Sequence, residues 1–213
     1  MNERFNFIRN EEGLRRTAYL DQGIPHIGIG FNLRAANVQN QVFVAFGINP
    51  TDANLSDAAR AREQQYKDEL ISVINGTYSS NSALQSALND VMNRRANDLL
   101  LSAISDRRST FEFRTDNEAI GVFNTAILTY ETKLDTWLSG IPESKELIAL
   151  VSLAYNTKDG STSLLGNKLK AAINNDNRAE AWFEIRYNSN ADRGHASRRY
   201  SEAAMFNLYD AGF

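Results

Sequence analysis

Only one stretch of this chain, residues 17–33, combines glycines with β-branched residues as a strand pair does; nearly everything else places apolar residues at helical intervals. Such a pattern leaves room for one small sheet set apart from a helical mass, a mostly helical α+β arrangement. Ahead of the stretch, Phe5, Ile8 and Glu12 fall on one face of a short helix expected over residues 3–13. After Pro50 the helical signals continue. Ser56 suits the N-cap of a polar helix running to about Ile74, Leu84, Leu88, Val91 and Leu99 mark a second helix, and Ile120, Phe123, Ile127, Leu134 and Trp137 mark a third. Four more are expected over 147–155, 164–173, 179–187 and 196–209, divided by turn signals at Asp159-Gly160, Asn174-Asn175 and Arg193-Gly194.

With 213 residues the chain can form one large domain or two lobes sharing a helix. We read residues 1–213 as a single domain. Within it, 17–50 form a small sheet lobe, 51–140 a helical connection with an inserted layer, and 141–213 a C-terminal helical lobe on which helix 3–13 packs. A cleft between the lobes is the natural place for a site.

Cysteine is absent, which excludes disulfides, thiolate zinc sites and a cysteine nucleophile. The two histidines, His26 and His195, lie too far apart to form a helical metal pair, so no metal or other cofactor is expected. A net charge of −3 supplies no broad basic field and argues against a nucleic-acid partner. The opening residues mix charge with short apolar runs, so neither a signal peptide nor a membrane anchor is expected.

Two carboxylates stand close to the sheet. Glu12 ends an apolar helix face, where partial desolvation favours the protonated form that a general acid needs, although a helix-end glutamate is commonly solvated or salt-bridged. Asp21, in Leu20-Asp21-Gln22-Gly23, reads first as a turn residue that hydrogen-bonds its own backbone. Facing Glu12 across a cleft, it would instead complete the carboxylate pair that glycosidic hydrolysis uses. Ile27-Gly28-Ile29-Gly30-Phe31 lacks the third glycine, the lysine and the following helix of a phosphate loop, so it reads as a strand against which a polymer can lie closely.

Taken together, Glu12-Gly13-Leu14-Arg15, Ala18-Tyr19-Leu20-Asp21 and Ile27-Gly28-Ile29-Gly30 resemble the signature of the phage-type lysozymes, the T4 lysozyme-like muramidases, with matching spacing and no gap. Residues 149–156, Ser163 to Leu169, Ala179 to Trp182 and Gly194 to Glu202 resemble that family's C-terminal helices in the right order, whereas 51–140 match weakly and run longer. The resemblance implies a fold of a small sheet lobe and a helical lobe joined by a long helix, which binds glycan strands in the cleft between them and hydrolyses the β-1,4 bond between N-acetylmuramic acid and N-acetylglucosamine. Glu12 would be the acid and Asp21 the charge-stabilising or water-activating base. Substrate contacts would fall to Gly30, Phe31, Asn32 and Asn167, and an arginine of the last helix, Arg198 or Arg199, would pair with Glu12.

His26 departs from the family, which usually places a threonine there to hold the attacking water. A neutral imidazole is larger and nucleophilic; it is either a harmless substitution at the rim, or it displaces that water and activates another, or it attacks the sugar itself. The expected partner is peptidoglycan, with an immunity protein added if the chain is a toxin, and the expected state is a monomer. Without a signal peptide, the protein would be made in the cytoplasm and reach the wall after holin release or by delivery from a virion or secretion system. A different class remains open: a catalytically idle lysozyme fold that grips cell wall.

Overall fold

In the computed structural model, which describes residues 3–138, 142, 144–156, 165–189 and 196–207, helix α1 (Glu3–Glu12) leads into a three-stranded antiparallel sheet. Strands β1 (Arg15–Asp21), β2 (Ile24–Gly28) and β3 (Phe31–Asn32) lie in that order. Gly13, at φ 74°, takes the left-handed conformation that ends a helix without a Cβ penalty. The β1–β2 turn has only two central residues, Gln22 at φ 48° and Gly23 at φ 80°, the paired positive angles that match the twist of a hairpin. That turn sets the register: Asp21 faces Ile24, Leu20 faces Pro25 and Tyr19 faces His26.

The glycine-rich run is not the continuous strand expected. Gly28, the last residue of β2, takes φ 67° and Gly30 takes φ 83°, and the chain reverses at Ile29-Gly30 so that Phe31 pairs back with Ile27. Helix α2 (Ala36–Ala45) follows inside the stretch assigned to the sheet lobe, burying Val38, Val42 and Phe43. Helix α3 (Asp57–Asn75) is capped by Ser56, whose Oγ accepts the Ala59 N–H at 3.2 Å, as its sequence indicates. Helix α4 (Asn81–Ala96) stops short of Leu99, which sits instead in a 3-10 turn and is 86% exposed. Asn97 and Asp98 end the helix, and Asp98 accepts the Leu100 N–H to open that turn. Helix α5 (Asp116–Trp137) completes this part of the chain.

The chain divides into two units, residues 12–126 and residues 1–11 with 127–213, the boundary falling inside α5. In the first, the inward face of the sheet contributes Ala18, Ile27 and Phe31 to an aromatic core. Phe46 stacks edge-on against Phe111 at 4.8 Å and Phe113 at 5.0 Å, and Phe113 meets Phe31 at 6.4 Å. A fully buried ion pair, Arg95 with Glu63 at 2.8 Å, ties α4 to α3, and Glu63 also accepts the Asn49 N–H. Helix α4 further serves the outer edge of β1: Gln85 Oε1 accepts the Ala18 N–H at 2.7 Å and Asn81 Oδ1 the Leu20 N–H at 2.8 Å. The outer edge of β1 is thereby satisfied partly by these side chains and partly by backbone, since Thr17 bridges to Glu112 and the Phe113 N–H is donated to the Arg16 carbonyl at 2.9 Å.

In the second unit, α6 (Lys145–Tyr155) is buried from Ile148 to Tyr155 and packs against α9 (Ala196–Phe206). Helices α7 (Asn167–Asn174) and α8 (Arg178–Phe183) flank them, α8 widening into a π-helical turn over Glu184–Asn188. Arg4 of α1 pairs with Glu131 of α5. The turn signals at Asp159-Gly160 and Arg193-Gly194, His195, Ser163-Leu164 and the end of the last expected helix at Tyr209 lie outside the described residues. No helix among the described residues is long and apolar enough to cross a membrane.

Candidate active site

Glu12 is the last residue of α1 and is half-buried. Its carboxylate lies along the β2–β3 turn: a Cβ on Gly30 would stand 3.1 Å from Glu12 Oε2 and 3.3 Å from its carboxyl carbon. A glycine is therefore what lets the acid approach this backbone. The contact joins the end of a helix to the tip of a hairpin, and both ends of it are set by residues at positive φ, Gly13 and Gly30.

The sheet supplies the rest through simple alternation. Residues directly opposite in an antiparallel pair share a face, and every second residue along a strand joins them. Tyr19, Asp21, His26 and Asn32 therefore line the outward face, while Ala18, Pro25, Ile27 and Phe31 point inward and are buried. The rings of Tyr19 and His26 lie 5.7 Å apart, tilted by 31°. His26 Nδ1 is 2.9 Å from the Ile24 carbonyl oxygen. A carbonyl only accepts, so Nδ1 carries the proton, and in the neutral ring Nε2 holds the lone pair.

Tyr19 received no site role from its sequence, yet it is the point on which the charged groups converge. Burial pushes its hydroxyl above the ordinary tyrosine range; the negative charges of Glu12 and Asp21 push the same way, while Arg15 and the Gly30 N–H partly oppose them. The phenol therefore stays protonated and lies within electrostatic reach of both carboxylates. The signal that identifies it was present: a two-residue turn at Gln22-Gly23 makes Tyr19 the cross-strand partner of His26.

The other expected residues are placed as follows. Asp21 is exposed at the end of β1, beside the hairpin turn. Phe31, expected to meet a polymer, is 1% exposed and its ring is part of the core against Phe113, because its strand position points inward. Asn32 is half-buried and uses its Oδ1 to accept the Arg34 N–H at 2.8 Å. Asn167 opens α7 in the other unit and is exposed. Arg198 and Arg199 are buried rather than forming a solvated helix face, and both hold the buried Glu202, Arg198 at 3.1 Å. Ser152 donates its hydroxyl to the same carboxylate at 2.7 Å.

A cavity of about 630 Å³ lies in the second unit, lined by Leu138, Leu150, Ile173, Phe206 and the Glu146–Arg178 ion pair. None of the candidate site residues lines it. Among the described residues no three carboxylate or imidazole groups gather as a metal ion would require. What the sheet face offers chemically is two carboxyl groups, an imidazole and a protonated phenol, a set suited to proton transfer at an acid-labile bond. No family model, curated protein or solved structure matches the chain.

Proposed function

We propose that the protein is a peptidoglycan-cleaving muramidase with a lysozyme-like fold, acting on the β-1,4 bond between N-acetylmuramic acid and N-acetylglucosamine. The observation that carries this reading is the placement of the Glu12 carboxylate against Gly30, beside a sheet face that bears Asp21, Tyr19 and His26. The motif spacing from Glu12 through Asp21 to the Ile-Gly-Ile-Gly run supports it independently.

Glu12 donates its proton to the glycosidic oxygen as the bond breaks, and ionised Asp21 steadies the positive charge that develops on the sugar. His26 faces the same space with its Nε2 lone pair available. Its attack on the sugar followed by water retains the anomeric configuration, whereas its activation of a water inverts it. Proton NMR of the first product separates the two: a purely inverted anomer removes nucleophilic attack by His26.

Zymography on purified peptidoglycan, wild type beside Glu12→Gln, tests the function. Clearing by the wild type alone is the expected result. Clearing by neither favours a catalytically idle wall-binding protein, and equal clearing by both removes Glu12 as the acid.

A further inference from the structure

The sheet face poses an electrostatic difficulty for its proposed substrate. The chain is net negative and the site carries two carboxylates, while a cell-wall glycan is itself anionic. Some group must offset that repulsion. Resting on the muramidase reading, we infer that Arg15 is a substrate-recognition residue whose guanidinium receives a carboxylate of the glycan strand next to Glu12.

Arg15 opens β1 three residues after Glu12 and pairs in register with Gly28, so it stands at the Glu12 end of the sheet. It is exposed, and its guanidinium carbon lies 4.5 Å from the centre of the Tyr19 ring. Among the described residues no carboxylate pairs with it. Its neighbour in sequence behaves differently: Arg16 holds Asp116 through Nε at 3.0 Å and Nη2 at 2.8 Å. Arg62, Arg94, Arg95 and Arg108 likewise each hold an acidic partner.

A guanidinium resting on an aromatic face keeps its in-plane N–H donors for another group, and that fork matches a carboxylate in bidentate fashion. Stacking on Tyr19 restricts the side chain before substrate arrives, which lowers the ordering cost of binding. Because Tyr19 also lies within reach of Glu12 and Asp21, a carboxylate held by Arg15 would be placed close to the reacting bond. Two carboxylates on the strand have this chemistry, the lactyl acid of muramic acid and the acids of its stem peptide.

The test is calorimetric binding of soluble glycan fragments to Glu12→Gln, with and without Arg15→Gln. Four fragments are compared: stem-bearing, stem-bearing with amidated carboxylates, stem-free with the lactyl acid exposed, and a chitin oligosaccharide that lacks both acids. Arg15→Gln should weaken binding of acid-bearing fragments by about tenfold or more and leave the chitin oligosaccharide unchanged. Arg15→Lys should restore part of the loss, since it returns charge without the fork. Loss confined to the stem-bearing fragment assigns the stem acids, and loss that includes the stem-free fragment assigns the lactyl acid. Equal weakening on chitin, or no weakening on any fragment, overturns the inference. If wild type still clears peptidoglycan in that event, only the role of Arg15 fails; absence of both binding and clearing removes the muramidase reading as well.

Discussion

Gly30 and Glu12 form a pair in which the smaller residue decides where the larger can go. Gly30→Ala would place a methyl 3.1 Å from Glu12 Oε2 and force an alanine to φ 83°. We expect it to cost about 1–2 kcal/mol of stability through the backbone alone. Clearing of peptidoglycan should fall much further than that loss implies, because the carboxylate must move; parallel melting curves and turbidity assays separate the two effects. Gly28→Ala should destabilise more, since its methyl would meet the Phe31 ring at 2.6 Å and that ring is fixed in the core. At this scale positions were partly legible. Glu12 at a helix end and Asp21 beside a turn follow from the sequence. The inward placement of Phe31 does not, because the Ile-Gly-Ile-Gly run was read as a strand and not as a reversal.

Helix α4 shows why elements are harder to read than residues. Its own existence follows from Leu84, Leu88 and Val91, all buried on one face, but nothing local announces that its polar face completes a distant strand. Gln85 joins Ala18, Asn89 and the Phe111 carbonyl in one network. Gln85→Ala leaves the Ala18 N–H without that partner and should cost about 1–3 kcal/mol. Amide exchange should accelerate at Ala18 and Leu20 well before it does in α3. Helix α2 was missed for a related reason: its apolar residues Val38, Val42 and Phe43 recur at helical spacing, but the helix is short and polar residues break up its first turn. Helix α4 thus has one role visible in the structure, support of the strand that carries Tyr19 and Asp21.

At the scale of the whole molecule, charged pairs are fully enclosed in two separate places among the described residues. Arg95 and Glu63 are each fully enclosed, and Arg199 and Glu202 are equally inaccessible in the other unit. Removing one partner leaves an uncompensated charge, so Glu63→Gln should lower unfolding free energy by about 3–5 kcal/mol in denaturant titration. Burial of Glu146 is the largest single influence and works to raise its pKa. The hydrogen bond and charge of Arg178, together with the residue's own backbone N–H and the Ser144 hydroxyl, jointly outweigh it and hold the carboxyl below its ordinary range. The pair therefore contributes fully above the unfolded-state pKa of glutamate, and the contribution is lost as pH falls through the lowered value. The difference in melting temperature between wild type and Glu146→Gln should shrink on acidification from neutral pH to about pH 3.

The division of the chain also imposes an order of events during synthesis. Helix α1 precedes the sheet-bearing unit in the chain, yet its Arg4 pairs with Glu131, which is translated only after all of residues 12–126. The sheet-bearing unit can thus close while α1 still waits for the second half of α5, and a fragment of residues 12–138 should fold cooperatively alone. A nascent chain halted before α5 would hold every outward-facing sheet residue named here but would leave its leading helix exposed to proteases.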